Sequence, residues 1–335
     1  MKIIVPMAGM GKRMRPHTLS IPKPLIPVAG KPIVQHLVEN IANVCSEGIE
    51  EIAFVVGDFG TEVENKLKEI AGRLNAKTSI YYQEEALGTA HAIHCAADSM
   101  DGKIVVAFAD TLFKADFTLD ASHDATIWVQ KVENPSSFGV VKLNNEGLIT
   151  DFIEKPKEFV SDLAIIGIYY FREGEKLRDA IQHLIDNKIT GNGEYQLTDA
   201  LENMKNEGVK FYPGQVIEWM DCGNKNVTVH TNQRMLHYLK HEQLISDTVS
   251  LEHSVIIPPC YIGKNVKINN SVVGPYVSLG DESRISNSRI DNSILQNNVC
   301  VENKVLTNSL IGNHAVVKNQ ADDLSISDYS KINNV

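Results

Sequence analysis

The sequence predicts an α/β fold, in which a domain with a Rossmann-like mixed sheet and covering helices is followed by a parallel left-handed β-helix. Two observations predict this order. Up to about residue 125, short apolar runs alternate with amphipathic stretches of helical length, as in parallel sheets covered by helices on both faces. After about residue 250, aliphatic residues recur at steps of five or six residues, as in hexapeptide-repeat β-helices. A length of 335 residues also favours two domains.

The first predicted domain spans residues 1–245 and begins with alternating strands and helices. Its first strand, Lys2–Val5, continues as an uninterrupted apolar run after Lys2, which is typical of a buried parallel strand. Further strands are predicted at Ile52–Val56, Thr78–Tyr82 and Ile104–Phe108. Helices are predicted between the strands at Pro32–Cys45, Thr61–Leu74 and Thr89–Ala97.

From Ala125 the pattern changes to strands with few helices between them, which predicts an antiparallel extension of the sheet. These strands are predicted at Ile127–Val132, Gly139–Leu143, Ile149–Ile153 and Leu163–Phe171. Helical periodicity returns, and predicts helices, at Glu175–Asp186, Gln196–Lys205 and Val227–Leu244.

The second predicted domain, residues 250–320, is the hexapeptide-repeat β-helix, and residues 321–335 are predicted to form a C-terminal tail. The aliphatic residues expected to face inward are Ile257, Ile262, Ile268, Val273, Leu279, Ile285, Ile290, Leu295, Val301, Leu306, Ile311 and Val317. The positions between them are rich in Asn, Ser and Gly. A β-sandwich of short strands is the alternative, but near-regular steps without hairpin-like alternation favour the β-helix.

The composition argues against several classes of partner. Lys and Arg total 32 against 42 Asp and Glu, a formal charge of −10, which disfavours general binding to nucleic acid or to an anionic membrane. The five cysteines are scattered without a CxxC pair, as expected for reduced thiols in the cytosol. No apolar run approaches the roughly 18 residues of a membrane span, and the N-terminus lacks the apolar region of a signal peptide. We therefore expect a cytoplasmic protein.

An anion site is predicted in the stretch PMAGMGKRMRPHTLSIPKPLIP, which follows the first strand. Its G-x-G is not a dinucleotide fingerprint, because Met14 stands where a third glycine is needed, and it lacks Walker A spacing. Glycines let backbone N–H groups approach an anion closely, while Lys12, Arg13 and Lys23 add positive charge. A turn with solvated charges is the alternative, but the prolines favour a stiff binding loop that loses little entropy.

The longer segment AGMGKRMRPHTLSIPKPLIPVAGKPI resembles the signature of the sugar-1-phosphate nucleotidylyltransferases, which include the glucose-1-phosphate thymidylyltransferases. The resemblance implies a nucleotidyltransferase domain of GT-A-like fold, with Mg²⁺ as cofactor. It also implies that a nucleoside triphosphate and a sugar 1-phosphate are converted to a nucleotide sugar and pyrophosphate. Many members read A-G-G-x-G-x-R, and the corresponding stretch here, AGMGKR, is one residue shorter.

The resemblance assigns roles to this loop. It implies that Arg13 holds the leaving phosphates and that Lys23 bridges the α-phosphate and the transition state, so both are predicted catalytic residues. It also implies that Ala8, Gly9 and Gly11 bind the nucleotide.

A second stretch, QEEALGTAH, resembles the base-reading segment of the family. The resemblance implies that the side chain of Gln83 and the backbone at Gly88 contact the edge of a pyrimidine, with Thr89 also binding the nucleotide. A strand-to-helix turn with Thr89 as N-cap is the alternative. His91 and His94 have no third ligand candidate nearby, which favours a structural role over a metal site for both.

Two acidic residues are predicted to bind the metal. Asp110 follows the apolar run IVVAF, at the strand end where open α/β sheets place ligand chemistry. Asp221 lies in WMDCG, which resembles the W-x-D-x-G segment of the family. The resemblance implies that Asp110 and Asp221 hold Mg²⁺, a cation that prefers oxygen ligands and phosphate partners. For Asp221, a helix N-cap is the alternative.

The remaining predicted site residues bind the sugar phosphate, and they also come from the resemblance. FGVV and EKP resemble the sugar-side segments of the family. They imply contacts from Gly139, from Glu154 to sugar hydroxyls, and from Lys155 to the sugar phosphate. Gly167 corresponds to the glycine where the backbone approaches the sugar, and Glu194 to a sugar-binding glutamate.

The spelling of the base-reading segment is nearer to thymidylyl- and uridylyltransferases than to guanylyltransferases, so dTTP is the favoured nucleotide and UTP the next. Glucose 1-phosphate is the favoured acceptor, with N-acetylglucosamine 1-phosphate and mannose 1-phosphate as alternatives. Acyl transfer by the β-helix is a rival activity, disfavoured because His314 is the sole histidine within the repeats from 257 to 317. A non-catalytic scaffold would be expected to lack some of the charged residues that serve the phosphates and the metal, and it is disfavoured because all five are present: Arg13, Lys23, Asp110, Lys155 and Asp221. A homo-oligomer is expected, since repeat faces and coil ends commonly stack between subunits.

Overall fold

A computed structural model describes residues 1–320 of the chain, so the predicted tail, 321–335, lies outside the described residues. The chain divides into two compact units. The first consists of Met1–Pro27 and Lys31–Thr231, and the second of Val28–Gly30 and Asn232–Val335. None of the helices within residues 1–320 has the length and hydropathy that a bilayer span requires.

The helices and strands of the first 240 residues follow the alternation that the sequence predicts. The α-helices are α1 Ile33–Val44, α2 Thr61–Arg73, α3 Thr89–His94, α4 Gly174–Asp186, α5 Leu197–Asn206 and α6 Lys225–Tyr238. The strands are β1 Lys2–Pro6, β2 Pro27–Val28, β3 Lys31–Pro32, β4 Glu51–Val56, β5 Lys77–Tyr82, β6 Ile104–Ala107, β7 Thr111–Lys114, β8 Ala125–Lys131, β9 Gly139–Leu143, β10 Ile149–Glu154, β11 Leu163–Phe171, β12 Phe211–Gln215 and β13 Glu218–Asp221. Short 3₁₀ helices lie at Lys12–Met14, His17–Leu19, Lys23–Leu25, Ala97–Ser99 and Pro135–Ser137.

The main sheet is mixed, as predicted. Strands β6, β1, β4 and β5 are parallel neighbours in that order. Strand β11 then pairs antiparallel with β6 and with β8, and β9 pairs antiparallel with β10. Strand β6, which is apolar throughout, and strand β4, which is apolar after Glu51, are buried along their whole length, because parallel strands covered by helices have no solvent-facing side.

One face of this sheet packs against α3, α4 and α5. Their buried residues, including Ile93, Ile181 and Leu201, join Ile4 and Val106 of the sheet in a single apolar cluster. Each of these side chains is fully buried, and such burial contributes about 1.5–3 kcal/mol per large aliphatic side chain. The cluster supports the strand ends at which the predicted site residues lie.

The structure differs from the prediction in a few elements. The helix predicted to reach Ala97 ends at His94 and gives way to a 3₁₀ turn, and the last predicted helix ends at Tyr238 rather than Leu244. Strands β2, β3, β7, β12 and β13 are absent from the prediction, since runs of two to five residues show too little alternation to be recognised. Of these, β13 and β7 pair antiparallel and carry the predicted metal ligand Asp221.

The second unit contains three stacks of short parallel strands, which confirms the predicted β-helix and is consistent with its left-handed form. One stack is β14 Ser250–Glu252, β17 Lys267–Asn269, β20 Arg284–Ser286, β23 Cys300–Glu302 and β26 Val316–Lys318. The second is β15 Val255–Ile256, β18 Val272–Val273, β21 Arg289–Ile290 and β24 Val305–Leu306. The third is β16 Tyr261–Ile262, β19 Val277–Leu279, β22 Ser293–Leu295 and β25 Leu310–Ile311.

The aliphatic repeat fills the interior of the β-helix. Ile268, Ile285 and Val301 lie one above another in register and are buried. The first predicted repeat position is wrong: Ile257 is 41% exposed, and its neighbour Ile256 packs on the core instead. The corners explain the abundant asparagines, because residues such as Asn270 and Asn287 adopt positive φ, and Asn tolerates this conformation better than other side chains with a Cβ.

Candidate active site

The predicted nucleotide-binding residues line one cavity of about 290 Å³ at the carboxyl ends of the parallel strands. Ala8 follows β1, Gln83 follows β5 and Asp110 follows β6, and all three line this cavity. Parallel strands direct their carboxyl ends to the same edge of a sheet, which is where open α/β domains bind ligands. Gly9 and Gly11 also line the cavity.

The glycine-rich loop turns back on itself, which brings its cationic residues together. Thr18 donates its hydroxyl to the carbonyl oxygen of Gly11 at 2.9 Å, and Met14 is fully buried beneath the loop. Lys12, Arg13 and Lys23 consequently line one further cavity of about 400 Å³. Gly11 and Lys23 line both cavities, so positive charge extends from one to the other.

The two predicted metal ligands lie on paired segments. Residue 221 is opposite Thr111 in the antiparallel pairing of β13 with β7. The backbone N–H of Cys222 donates to the carbonyl oxygen of Asp110 at 2.9 Å. This pairing brings together two carboxylates that are more than a hundred residues apart in the chain.

Cationic side chains meet these carboxylates. The ammonium of Lys23 lies 2.6 Å from Asp110 Oδ2, and the Lys23 side chain is only 14% exposed. Burial, followed by the negative charge of Asp110, raises the pKa of Asp221; the N–H of Gly223 and the charges of Lys23 and Arg13 oppose this shift. Arg13, Lys23, Asp110 and Asp221 are therefore all close enough to interact electrostatically.

The carboxylate pair has the chemistry of a Mg²⁺ site that shares its ligands with a substrate. Within residues 1–320, no group of three or more His, Cys, Asp or Glu residues could hold a metal. Mg²⁺ in phosphate-transfer sites commonly takes only one or two carboxylates, with waters and phosphate oxygens completing its shell. Burial and the negative charge of Asp110 both raise the pKa of Asp221, and a bound cation would oppose this shift by stabilising the ionised carboxylate. The residues thus fit Mg²⁺.

The base-reading segment is folded around Gln83. Its side-chain Nε2 lies 3.3 Å from the carbonyl oxygen of Gly88 and 3.2 Å from His91 Nδ1. Thr89 is the first residue of α3 rather than its N-cap, and its Oγ1 accepts a hydrogen bond from Leu197 N at 3.1 Å. His91 therefore contacts a predicted site residue, a role that its sequence pattern did not show.

Three of the predicted sugar-binding residues line a separate cavity of about 190 Å³: Gly139, Glu154 and Gly167. Gly139 is opposite Glu154 in the β9–β10 pairing. Gly167 has φ of +84° and lies where the β11 register shifts, a position that favours glycine. Thr89 and Phe108 line both this cavity and the 290 Å³ cavity, so the two cavities adjoin.

The other two predicted sugar-binding residues lie elsewhere. Glu194 lines the 290 Å³ cavity with the nucleotide-binding residues. Lys155 is 61% exposed, and its ammonium lies 3.3 Å from Glu154 Oε1; it is not among the described residues that line the three cavities. In Lys155 the backbone has φ of +41°, which turns the chain after β10 away from the extended path.

Several residues that the sequence reasoning missed line the sugar-side cavity. Thr198 is only 5% exposed, and its Oγ1 has no hydrogen-bond partner within residues 1–320. Burial and the nearby charge of Glu154 raise the pKa of Tyr169. Phe108 packs edge-to-face on Tyr169 with ring centroids 6.2 Å apart. Thr198, Tyr169 and Phe108 belong to no recognisable sequence motif, so the sequence did not mark them as site residues. The hydroxyl of Thr198 in the first turn of α5 is only a weak indication of a ligand contact.

Comparison with known proteins decides the family. A family model described as Nucleotidyl transferase matches residues 2–237. The chain belongs to the nucleotidyl transferase family. The match covers more than two thirds of this nucleotidyl transferase and includes every residue of the candidate site.

Individual relatives extend the comparison beyond the family model. The low-salt glycan biosynthesis nucleotidyltransferase Agl11 of Haloferax volcanii is 30% identical over 320 residues, covering 88% of this chain and 87% of its own. A glucose-1-phosphate thymidylyltransferase of Streptomyces antibioticus is 30% identical with the same coverage. The bifunctional protein GlmU of Methanococcus maripaludis is 33% identical over 266 residues, covering 77% of this chain but 60% of its own.

Among solved structures, a UDP-glucose pyrophosphorylase complexed with UDP-glucose superposes with a TM-score of 0.58 at 26% identity. The superposition covers 71% of this nucleotidyl transferase and 98% of that chain. A TM-score in this range supports a shared fold.

Proposed function

We propose that this nucleotidyl transferase couples a nucleoside triphosphate to a sugar 1-phosphate and releases pyrophosphate, with dTTP and glucose 1-phosphate as the favoured pair. The observation that carries the proposal is the convergence of Arg13 and Lys23 with Asp110 and Asp221 next to two adjoining cavities. One cavity carries the residues of the base-reading segment and the other the sugar-side residues. The name of the Streptomyces relative supports this choice of pair.

The reaction needs positioning and charge compensation rather than a general base. The phosphate oxygen of a sugar 1-phosphate is already ionised at neutral pH and can attack the α-phosphorus in line with departing pyrophosphate. Two polyanions repel each other, so catalysis must come from alignment and from cations placed where negative charge develops. Arg13 and Lys23 are the cations of the loop that serve the triphosphate. Lys155, exposed beside Glu154, is the candidate cation for the attacking phosphate.

Asp110 and Asp221 are the residues that would hold Mg²⁺. When bound, Mg²⁺ supplies charge that screens the phosphoryl oxygens from the attacking anion. Lys23 now neutralises Asp110, and it can exchange this contact for a phosphate oxygen because its ammonium donates three hydrogen bonds. The partial burial of Lys23 excludes competing water, which strengthens its interaction with an anion.

Uridylyl transfer is the second candidate. Its support is the 26% identical UDP-glucose pyrophosphorylase, which covers 71% of the chain. Uracil and thymine present the same ring edge to Gln83 and differ at the 5-methyl group. The nature of the nucleotide therefore depends on the shape of the cavity and requires a direct measurement.

A substrate grid tests the proposal. Pyrophosphate release is measured for dTTP, UTP, CTP, GTP and ATP, each with glucose 1-phosphate, N-acetylglucosamine 1-phosphate and mannose 1-phosphate, and with and without Mg²⁺. We expect the highest kcat/KM for dTTP with glucose 1-phosphate and little release after chelation. A chain that releases pyrophosphate with none of these pairs would not have the proposed activity. Acetyl-CoA with hexosamine 1-phosphates provides the parallel test for acyl transfer.

Homo-oligomerisation and a cytoplasmic location also remain proposals. Light scattering of the purified chain, compared with the 37.1 kDa expected for a monomer, measures the first. Fractionation of the source cells measures the second.

A further inference from the structure

The side chain of Gln83 has a defined orientation, because one of its neighbours can only accept a hydrogen bond. The carbonyl oxygen of Gly88 lies 3.3 Å from the amide end that we assign as Nε2. A carbonyl opposite a carbonyl would be repulsive, so the amino end of the amide must face Gly88. The same Nε2 lies 3.2 Å from His91 Nδ1. Because Nε2 of Gln83 is the donor, Nδ1 of His91 accepts this hydrogen bond, and the imidazole proton of His91 lies on its own Nε2.

Both amide hydrogens of Gln83 are thereby used within the protein. Its Oε1 has no hydrogen-bond partner within residues 1–320, and neither has the backbone N–H of Gly88. Gln83 and Gly88 both line the 290 Å³ cavity. The protein thus offers a ligand one acceptor, Oε1, and one donor, the N–H of Gly88, on neighbouring residues of the same wall.

We propose that His91 is a positioning residue, which holds Gln83 in the orientation in which its Oε1, a hydrogen-bond acceptor, faces the base. The proposal rests on the proposed function in that a nucleotide occupies this cavity. Uracil and thymine present an N3–H next to a carbonyl oxygen, which complements Oε1 of Gln83 and the N–H of Gly88. Cytosine in the same place sets the lone pair of its N3 against Oε1, leaving two acceptors facing each other.

Nothing else within residues 1–320 contacts the Gln83 side chain by a hydrogen bond. Without His91, one amide hydrogen of Gln83 loses its acceptor, and the long hydrogen bond to the carbonyl oxygen of Gly88 is the remaining contact that orients the amide. The amide can then rotate to present either end to the base, so discrimination between N3–H and a bare N3 weakens. A purely structural His91 would change stability and leave the preference between bases unaltered.

Binding measurements test this inference separately from catalysis. Calorimetry with UTP, CTP and N3-methyl-UTP is performed on the full chain in the presence of Mg²⁺ and without sugar phosphate. The wild-type protein should bind UTP about tenfold or more tightly than the other two, the effect expected for one unmet hydrogen bond in a polar site. In His91→Ala the ratio should fall to within about threefold, with the melting temperature recording that the protein remains folded.

Two further variants make the result specific. His94→Ala is the matched control, because His94 lies one turn along α3 and should leave the ratio as in the wild type. In a Gln83→Ala background, His91→Ala should change the ratio no further, since its effect passes through Gln83.

An unchanged ratio in His91→Ala, or equal wild-type affinity for UTP and CTP, would overturn the inference. If the wild-type protein releases no pyrophosphate but binds UTP selectively, and His91→Ala removes this selectivity, the proposed reaction is refuted and the positioning role of His91 is retained. A protein that binds none of the three nucleotides would refute both.

Discussion

Replacing Lys23 by Met tests whether the loop cation performs the work assigned to it. Met retains the unbranched aliphatic stem and removes the ammonium that lies 2.6 Å from Asp110 Oδ2. We expect the protein to fold and to lose most of its turnover. Loss of a single preorganised charge or donor from a transition-state site costs about 2.7–4 kcal/mol. This range corresponds to a decrease in kcat of about 100- to 1,000-fold.

The Lys23→Met variant should also lose some stability, because Asp110 loses its ion-pair partner, but the protein should remain folded. Asp110 is 34% exposed, so water can solvate the carboxylate after its partner is removed. The free energy of unfolding should therefore fall by no more than about 1–3 kcal/mol, the cost of leaving one partly buried partner unpaired.

The assay is pyrophosphate release at saturating substrates, paired with urea unfolding of the same preparations. Lys31→Met is the matched control, since Lys31 is 48% exposed and pairs with Glu39 on the surface; its kcat should match that of the wild type. Wild-type turnover in Lys23→Met would refute the assigned role. An equally large loss in Lys31→Met would show that the rate reports on general damage to the segment.

Three other substitutions probe separate parts of the chain. Asp110→Asn removes one proposed Mg²⁺ ligand and should shift the Mg²⁺ dependence of pyrophosphate release at least about tenfold higher, since metal affinity follows ligand charge; an unchanged titration would argue against the site. Gly88→Ala places a Cβ 2.5 Å from the carbonyl oxygen of Tyr195 at φ of +112°, so the free energy of unfolding should fall by about 1–3 kcal/mol and UTP binding by calorimetry should weaken; wild-type values for both would contradict this geometry. Burial alone would raise the pKa of Glu51, but hydroxyl hydrogen bonds and two lysines lower it below its usual 4.5. Glu51→Gln should thus lower the free energy of unfolding by about 1–2 kcal/mol at pH 7. In urea titrations the stability difference between wild type and variant should shrink as the pH falls below about 4.5, since a carboxylate with a lowered pKa stabilises the fold only while it is ionised. A stability difference independent of pH would exclude the carboxylate as its source.

The fold was largely predictable because its strongest signals are periodic. The apolar runs of β4 and β6 and the repeat of the β-helix depend on burial alone, and burial acts on every residue of the pattern. The error at Ile257 has a local cause. Val255, Ile256 and Ile257 are consecutive β-branched residues, so the pattern does not indicate which one faces inward, and the pairing of Ile256 with Val273 determines it.

Individual site residues could be predicted where they lie within one sequence motif. Contacts between residues from different segments could not be predicted. Lys23 and Asp110 were identified separately, but no spacing in the sequence indicates that they form an ion pair. Thr198 lacks a motif because its importance comes from burial without a hydrogen-bond partner. Lys155 was assigned by its position after Glu154, whereas the positive φ of its backbone leaves the side chain exposed.

The placement of Glu194 shows how such a meeting of segments determines the site. Tyr195 N donates to the carbonyl oxygen of Leu87 at 2.8 Å, and Ala90 N donates to the carbonyl oxygen of Tyr195 at 3.0 Å. These backbone bonds hold the two segments together, and the close approach at Gly88 leaves no room for a side chain. Glu194 is consequently held beside the base-reading residues, although its motif alone assigns it to the sugar. A change at this junction should therefore affect binding of both substrates, because the junction supports the wall that the two cavities share.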